Sequence, residues 1–292
     1  MTPLFIIQIL TFTYPPPIPD GPNDLLGVTS TRYSLEASKA IDEKQHPFSR
    51  SFLDSIQEAR SSTDGSRAYV LRRNNISWVL DECSSGSIPW RSISVPITSL
   101  EQVSFDGTVV FGKAANSSNM QVAVSTSSGK SCAVPKGRLI STSSGTYVWP
   151  NSSDGNAFHL SKESAPRFAR YVRKQDLLAR LRQEYGMPKL SHKFIIAHPE
   201  LVGGHGQAVF SEKQSSGIGM VYYVQGAIRH PIGSPPEGTT PYAIMLPETG
   251  HALISRAGEK IQEIKVIAGK VKERMHWIGL GGKFGRSWVM FR

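Results

Sequence analysis

The sequence has few cysteines, few charged residues and no long hydrophobic run. Its two cysteines, Cys83 and Cys132, cannot form the several disulfides that hold small secreted domains together. The apolar stretch near the N terminus is about a dozen residues long, too short to cross a bilayer, and no later stretch is long enough. We therefore expect a soluble chain, and secretion or delivery into a host cell stays open.

The charged residues that are present are unequally divided. Charged residues make up 19% of the 292 residues, and Lys and Arg outnumber Asp and Glu by 33 to 23, which gives a formal net charge of +10. A positive surplus favours an anionic partner, such as a nucleic acid, an anionic membrane or a phosphorylated ligand. A protein target is also compatible with it, and so is a role in solubility alone.

The composition and the turn signals predict a β-rich fold. The 26 glycines and 19 prolines suit many short strands joined by turns. From residue 67 the apolar pattern has strand period, with hairpins expected at Asn74-Asn75 and Asp106-Gly107. Helices are predicted near 33–42 and 49–60. We expect an α+β, β-rich chain of short mixed or antiparallel strands, two small N-terminal helices and one basic amphipathic helix.

Four regions follow from this pattern, and no internal repeat is predicted. They are an irregular proline-rich arm at 1–31, a helix pair with β-hairpins at 32–160, the basic helix at 161–190, and a second β-rich region with a basic C-terminal tail at 191–292. Ser164 is the candidate N-cap of the basic helix, Pro166 lies in its first turn, and Gly186 and Pro188 end it. Its arginines form either a solvated face or a ligand-binding face.

Two kinds of site can be weighed from side-chain chemistry alone. The eight histidines are scattered, and His198 and His205 have no cysteine nearby, so no metal site is predicted. Cys132 could act as a thiol nucleophile with His159 as its base, or it could be a small core residue.

A third possibility is cleavage of the bond between nicotinamide and ribose in NAD. Such chemistry needs an arginine fork for the pyrophosphate, a polar strand edge around the ribose, and a glutamate that stabilises the developing positive charge. The order Arg, Ser-Thr-Ser, Glu occurs in this sequence, in "AYVLRRNNISW", "VSTSSGKSCAV" and "EKIQEIKVIAG".

These segments resemble the mono-ADP-ribosyltransferase toxins of the cholera and pertussis kind. The resemblance implies an NAD-dependent toxin or effector that transfers ADP-ribose to a target. It implies that Glu263 is the catalytic acid, with Glu200 as the alternative. It also implies the following roles: Arg72 or Arg73 binds the pyrophosphate, Ser125, Thr126 and Ser127 line the pocket, and Tyr147 or Trp149 stacks on the nicotinamide.

A non-enzymatic function is the alternative hypothesis to an NAD-dependent toxin. The positive charge, the proline-rich arm and the basic, aromatic C-terminal tail also suit a structural protein of the viral matrix, capsid or nucleocapsid type that binds nucleic acid or an anionic membrane.

Overall fold

The computed structural model describes residues 6–13, 27–47, 50–84, 87–162, 169–185, 200–212, 220–233, 243–246, 250–256, 260–277 and 285–291. These residues form twenty-four β-strands and two α-helices. The two helices are α1 (Arg50–Ser55) and α2 (Lys174–Tyr185).

The strands fall into six consecutive groups of four, which we call blades. Blade 1 contains β1 (Ile6–Thr13), β2 (Gly27–Ser34), β3 (Lys39–Pro47) and the last strand, β24 (Gly285–Phe291). Blade 2 contains β4 (Ile56–Ser61), β5 (Arg67–Asn74), β6 (Ser77–Ser84) and β7 (Ser87–Val95). Blade 3 contains β8 (Gln102–Val103), β9 (Val109–Ala114), β10 (Ser117–Ser125) and β11 (Ser131–Val134).

The second half of the chain continues the series. Blade 4 contains β12 (Gly137–Thr142), β13 (Gly145–Pro150), β14 (Asn156–Leu160) and β15 (Ala169–Arg173). Blade 5 contains β16 (Glu200–Gly204), β17 (Gln207–Glu212), β18 (Met220–Gln225) and β19 (Ile228–Gly233). Blade 6 contains β20 (Ala243–Leu246), β21 (His251–Arg256), β22 (Lys260–Ile267) and β23 (Lys270–Trp277).

The blades are arranged in a ring around an axis. Within each blade the strands pair antiparallel, and β12 pairs in parallel with β16, so blades 4 and 5 form one eight-stranded sheet. In each blade, one end strand of the group of four lies nearest the axis, and we call it the first strand of the blade; in blade 1 this strand is β24. The first strands of neighbouring blades lie side by side, with β24 beside β4, β4 beside β8 and β16 beside β20. In blade 1 the last strand of the chain, β24, pairs with β1 and closes the ring. This architecture is a β-propeller.

Apolar side chains fill the spaces between the blades. Five buried clusters each combine residues of two neighbouring blades: 2 with 3, 3 with 4, 4 with 5, 5 with 6, and 6 with 1. Burial decreases from the axis outward, since all four residues of β20 are buried whereas His276 is the one buried residue of β23. The outer strands are therefore the accessible surface of each blade.

The predicted α+β class is wrong, because nearly all of the described chain is β-strand. Residues predicted as a helix at 33–42 lie in β2, a turn and β3, and the helix predicted at 49–60 is confined to α1. Within the predicted N-terminal arm, residues 6–13 and 27–31 belong to strands β1 and β2 of blade 1. The proline-rich residues 14–24 lie outside the described residues. The hairpin turns predicted at Asn74-Asn75 and Asp106-Gly107 are confirmed, and one residue of each, Asn75 and Gly107, has a positive φ angle.

The basic helix exists, but it begins later than predicted. Residues 169–173 form β15, which pairs with β14, and α2 begins at Lys174. The backbone N–H of Lys174 donates to the carbonyl of Gly155, and its Nζ donates to the carbonyls of Pro150 and Ser152. The predicted cap at Ser164 and the stop at Gly186 lie outside the described residues.

A repeat that was not predicted marks the turn between the first and second strands of blades 2 to 6. A glycine with positive φ occupies this turn in each of the five blades: Gly65, Gly107, Gly145, Gly206 and Gly250. Four residues later stands a buried large side chain: Tyr69, Phe111, Trp149, Phe210 and Ile254. Blade 1 lacks the turn because its first two strands come from opposite ends of the chain.

Blades 2 and 3 build this turn with the same hydrogen bonds. Ser62 Oγ donates to Asp64 Oδ1 over 2.7 Å, and Ser104 Oγ donates to Asp106 Oδ1 over 3.1 Å. In both turns the same carboxylate oxygen accepts the backbone N–H of the hydroxyl residue that follows the glycine. The motif Ser-x-Asp-Gly-Ser/Thr is therefore an Asx-type turn that holds the first two strands of the blade together.

The residue at the second position of this motif, Thr63 in blade 2 and Phe105 in blade 3, contacts a blade that is not its neighbour. The N–H of Met245 in blade 6 donates to the carbonyl of Thr63 in blade 2 over 2.8 Å. Phe105 of blade 3 packs on His205 of blade 5, with ring centroids 5.6 Å apart. A Cβ added to Gly204 would lie 2.3 Å from the Phe105 ring. These turns therefore meet over the axis at one end of the propeller.

We predict that Gly204→Ala lowers the free energy of unfolding by roughly 1–3 kcal/mol, the usual cost of overpacking. Denaturant unfolding of the purified protein measures this. Gly155→Ala is the matched control, because a Cβ there meets nothing within 4 Å. The cost should shrink in a Phe105→Ala background, which removes the clashing ring. An unchanged cost in that background would contradict the packing described here.

Candidate functional site

A row of polar side chains crosses blade 4 next to α2. Tyr147 of β13 lies directly opposite His159 of β14, and His159 lies directly opposite Arg170 of β15. The Tyr147 and His159 rings pack with centroids 4.9 Å apart, and Arg170 Nε donates to His159 Nδ1 over 2.9 Å. Directly opposite positions on neighbouring strands share a face, which brings the three side chains together.

Helix α2 adds a second arginine to this row. Arg180 Nη1 donates to the Tyr147 hydroxyl oxygen over 2.6 Å, and that hydroxyl donates to the Ser144 carbonyl over 3.2 Å. The helix is held against blades 4 and 5 by side chains on its opposite face, namely Leu177, Leu178, Leu181 and Tyr185. The four side chains Tyr147, His159, Arg170 and Arg180 form what we call the blade 4 site.

The histidine of this site is uncharged at neutral pH. Burial and the positive charges of Arg170 and Arg180 lower the pKa of His159 to about 4. Its Nδ1 accepts the hydrogen bond from Arg170, so the ring proton lies on Nε2. The turn at Gly145 leaves room for this ring, since a Cβ there would lie 2.7 Å from Nε2.

Both arginines of the site are held by neutral partners. The partners of Arg170 and Arg180 are an imidazole and a phenol, and neither guanidinium forms an ion pair with a described carboxylate. Arg173, three residues from Arg170, is different because its Nε lies 2.9 Å from Asp176 Oδ2. Arg170 and Arg180 are solvent-exposed, so each guanidinium keeps donors and a full positive charge available to a ligand.

The structure places Arg72 and Arg73 on blade 2, away from this site. The Arg72 guanidinium pairs with Asp81, whose side chain is 1% exposed, and it lies over the Phe52 ring. Ser92 Oγ donates to the same carboxylate. Arg73 is exposed next to the Asn75 turn. Arg72 therefore neutralises a buried acid.

The Ser125–Ser127 segment is a turn at the end of β10 in blade 3. Thr126 Oγ1 donates to the Gly107 carbonyl over 2.9 Å, and Ser125 Oγ lies 2.9 Å from Ser127 Oγ. Arg91 of blade 2 donates to the carbonyls of Thr126 and Ser127. Thr126 thus connects the strand end to the neighbouring Asp-Gly turn, and Arg91 connects the same segment to blade 2.

Glu263 lies in blade 6 and is enclosed by two histidines. Its carboxylate oxygens are 2.5 Å from His251 Nδ1 and 2.7 Å from His276 Nε2. Burial raises the pKa of Glu263, but hydrogen bonds from the two histidines outweigh it and lower the pKa to about 2. Ser38 Oγ of blade 1 lies 3.0 Å from the other nitrogen of His276. This network joins blade 6 to blade 1.

The remaining predicted residues are dispersed. Tyr147 and Trp149 are buried in the core between blades 4 and 5, where Lys174 Nζ lies 5.3 Å from the Trp149 ring centroid. Cys132 lies on β11 in blade 3, whereas its candidate base His159 is bonded to Arg170. Glu200 begins β16, opposite Leu139. Arg72, Ser125 and Glu263 thus lie in three different blades.

Sequence reasoning did not identify the blade 4 site as a site. The sequence predicts other roles for these residues: Tyr147 as a stacking residue, His159 as the base for Cys132, and the arginines of residues 167–182 as one face of a helix. The sequence does contain a pattern that indicates this site: "YVW", "FHL" and "RYVR" are three short strand patterns in succession. The register of the strands places their polar residues opposite one another. Within the described residues, no group of three His, Cys, Asp or Glu could hold a metal ion, and no helix is long and apolar enough to span a membrane.

The alignment with one solved structure agrees with the fold. The chain aligns with TolB from Acinetobacter baumannii, a β-propeller-like protein, with a TM-score of 0.53 and 10% identity over 98% of this chain and 66% of TolB. A chain of the nidogen/laminin complex aligns with a TM-score of 0.48 and 8% identity over 99% of both chains. No family model and no curated protein matches the sequence.

The resemblance to ADP-ribosyltransferase toxins is wrong. The topology and the TolB alignment show a propeller, not the small split β-fold that the resemblance implies. The predicted function as a toxin or effector is therefore wrong as well. The propeller does not support the alternative of a viral structural protein either. The short motifs misled because their residues serve local needs: a buried ion pair, a turn and a contact between blades.

We predict that Glu263 makes folding stability depend on acid. Its folded pKa lies below its ordinary value of 4.5, so its contribution is complete above pH 4.5 and is lost as the pH falls towards 2. Glu263→Gln should lower the unfolding free energy at pH 7 by roughly 1–3 kcal/mol and flatten its decrease between pH 4.5 and 2. Denaturant unfolding across that range measures both effects.

The control for this experiment is Glu43→Gln, which removes an exposed carboxylate from β3. It should leave the acid dependence close to that of the wild type. Parallel pH profiles for the wild type and Glu263→Gln would show that the two histidine contacts do not stabilise the carboxylate.

Proposed function

We propose that this β-propeller is a ligand-binding module whose blade 4 site holds a phosphate-like oxyanion, free or as part of a larger ligand. One observation carries the proposal: two exposed arginines, Arg170 and Arg180, are positioned by neutral hydrogen-bond partners and have no described counter-ion. A guanidinium that is already oriented loses less conformational freedom on binding, and its remaining N–H donors match the geometry of a phosphate or carboxylate.

The surroundings of the site support this assignment. The other arginine of β15, Arg173, has an acid beside it, Asp176. The blade 4 site instead places a second arginine near the first, and both lower the pKa of the histidine between them. Two cations near a neutral histidine repel each other, and an anion that contacts both removes that repulsion. The charge surplus of the chain is consistent with an anionic ligand.

The site is also supported by a rigid part of the fold. Tyr147 is fully buried and hydrogen-bonded at its hydroxyl, and α2 is fixed by the buried residues Leu177 and Leu181. The distance between β15 and α2 is therefore set by the core and not by the ligand. A site that forms in the folded protein before ligand arrives binds with a smaller entropic cost.

We predict saturable binding of inorganic phosphate that depends on both arginines. Arg170→Gln and Arg180→Gln should each weaken binding roughly tenfold, the effect of losing one charge-assisted hydrogen bond. Nuclear magnetic resonance of the His159 ring during phosphate titration, at fixed ionic strength, measures the affinity and reports the location together. A phosphoserine peptide then tests whether a larger ligand binds more tightly through the same residues.

Arg173→Gln is the matched control, because it removes the same charge from the same strand but from an arginine that already has a carboxylate partner. It should bind phosphate as the wild type does. Equal weakening by all three substitutions would mean that phosphate responds to net charge alone, and a His159 signal that does not move would place the anion elsewhere. Either result would overturn the proposal.

A further inference from the structure

The outer edge of blade 6 is a long strand with an available backbone. β23 pairs with β22 from Lys270 opposite Ile267 to Trp277 opposite Lys260. No described strand pairs along its other side. Every second N–H and C=O group of a strand points to such an edge, so β23 presents a row of main-chain donors and acceptors.

This edge carries positive charge without described counter-ions. Lys272 lies directly opposite Lys265, an arrangement of like charges that destabilises a sheet when nothing neutralises it. Neither these lysines nor Lys270 forms an ion pair with a described carboxylate. Glu273 is the one acidic residue of β23, and it is occupied by His230 and by Gln262 Nε2.

The C-terminal end of the same strand is apolar and exposed. Met275 is 37% exposed and Trp277 is 62% exposed. Both residues are exposed although β23 pairs with β22 along its whole length. Lys260 Nζ lies 4.1 Å from the Trp277 ring centroid and covers one face of the ring. A partner that follows β23 would therefore meet lysines on one face of the strand and, nearer its C-terminal end, exposed apolar side chains on the other face.

Four of the other outer strands have features that block the addition of a strand, and the fifth, β15, has only five residues. β19 contains Pro231, which has no N–H to donate, and β7 contains Pro89. β11 has four residues, and β3 carries Asp42 and Glu43 among its lysines. β23 has eight residues, no proline and no available acid. Its lysines repel a second copy of the same strand but attract an acidic one.

We propose that blade 6 binds an acidic, extended peptide segment of a partner protein, which pairs with β23 as a fifth strand. Main-chain hydrogen bonds would supply affinity, and acidic side chains at alternate positions would neutralise Lys270, Lys272 and Lys265. A nucleic acid could satisfy the charges but not the main-chain groups, and one face of the exposed Trp277 ring is already occupied by Lys260. The paired peptide therefore fits the observations better than stacked bases do.

The test uses the full chain and a fluorescent peptide of eight residues that alternates Glu with Val. We expect saturable binding by fluorescence anisotropy and protection of β23 amides from hydrogen exchange. Lys270→Glu with Lys272→Glu should weaken binding roughly tenfold or more, because attraction becomes repulsion. Lys130→Glu with Lys136→Glu, both in blade 3 or directly after it, makes the same charge change and should leave binding unchanged.

A second probe separates main-chain pairing from charge. The same peptide with alternate N-methylated residues keeps its carboxylates but loses half of its N–H donors, and it should no longer bind. Equal binding of the N-methylated peptide would overturn the proposal, as would displacement of the peptide by a single-stranded RNA that binds more tightly. Measurement in Arg170→Gln/Arg180→Gln protein keeps the result independent of the blade 4 site, and binding that disappears there would also contradict the proposal.

Discussion

The pairing of β1 with β24 is the constraint on which the rest of the structure depends. Residues 6–13 lie between β2 and the last strand of the chain, so blade 1 is complete only when both ends of the sequence meet. Bringing such distant segments together costs loop-closure entropy, which burial of Ile7, Ile9 and Leu10 offsets. The same seam holds the Glu263 network and the bonds from Arg274 to the Leu35 and Glu36 carbonyls. Apolar and polar contacts thus both close the ring at blades 6 and 1.

Local features of the fold could be predicted from the sequence, because they depend on residues close to one another. The turns at Asn74-Asn75 and Asp106-Gly107 are of this kind, since each requires a residue that tolerates positive φ. Residues 33–42 could not be assigned in this way. They contain apolar residues at helical spacing, but pairing with β1 and burial against blade 6 decide their conformation. The repeat was missed because only the glycine and one large buried residue recur in all five blades.

The blade 4 site needed information that the sequence does not contain. Arg170 was assigned to a helix, whereas β15 places it opposite His159, and that register depends on pairing with β14. Arg180 was correctly helical, but its partner Tyr147 lies 33 residues away in the chain. Conversely, Arg72 and Ser125–Ser127 look functional in the sequence because arginine and hydroxyl residues serve both catalysis and local hydrogen bonding. The partners of a polar residue, not its type, distinguish the two uses.

The arrangement of contacts suggests why both proposed sites lie at the rim. At one end of the axis, Thr63 and Phe105 reach across to blades 6 and 5, so this end of the propeller is occupied by the protein itself. Near the axis, charged groups are paired or hydrogen-bonded, as Glu58 is to the Leu100 N–H. Positive groups without a described acid occur on β15, α2 and the β22–β23 hairpin. Because an unpaired charge near the core would be costly, the positive groups of both proposed sites lie on outer strands, on the strand paired with one of them and on the helix beside another.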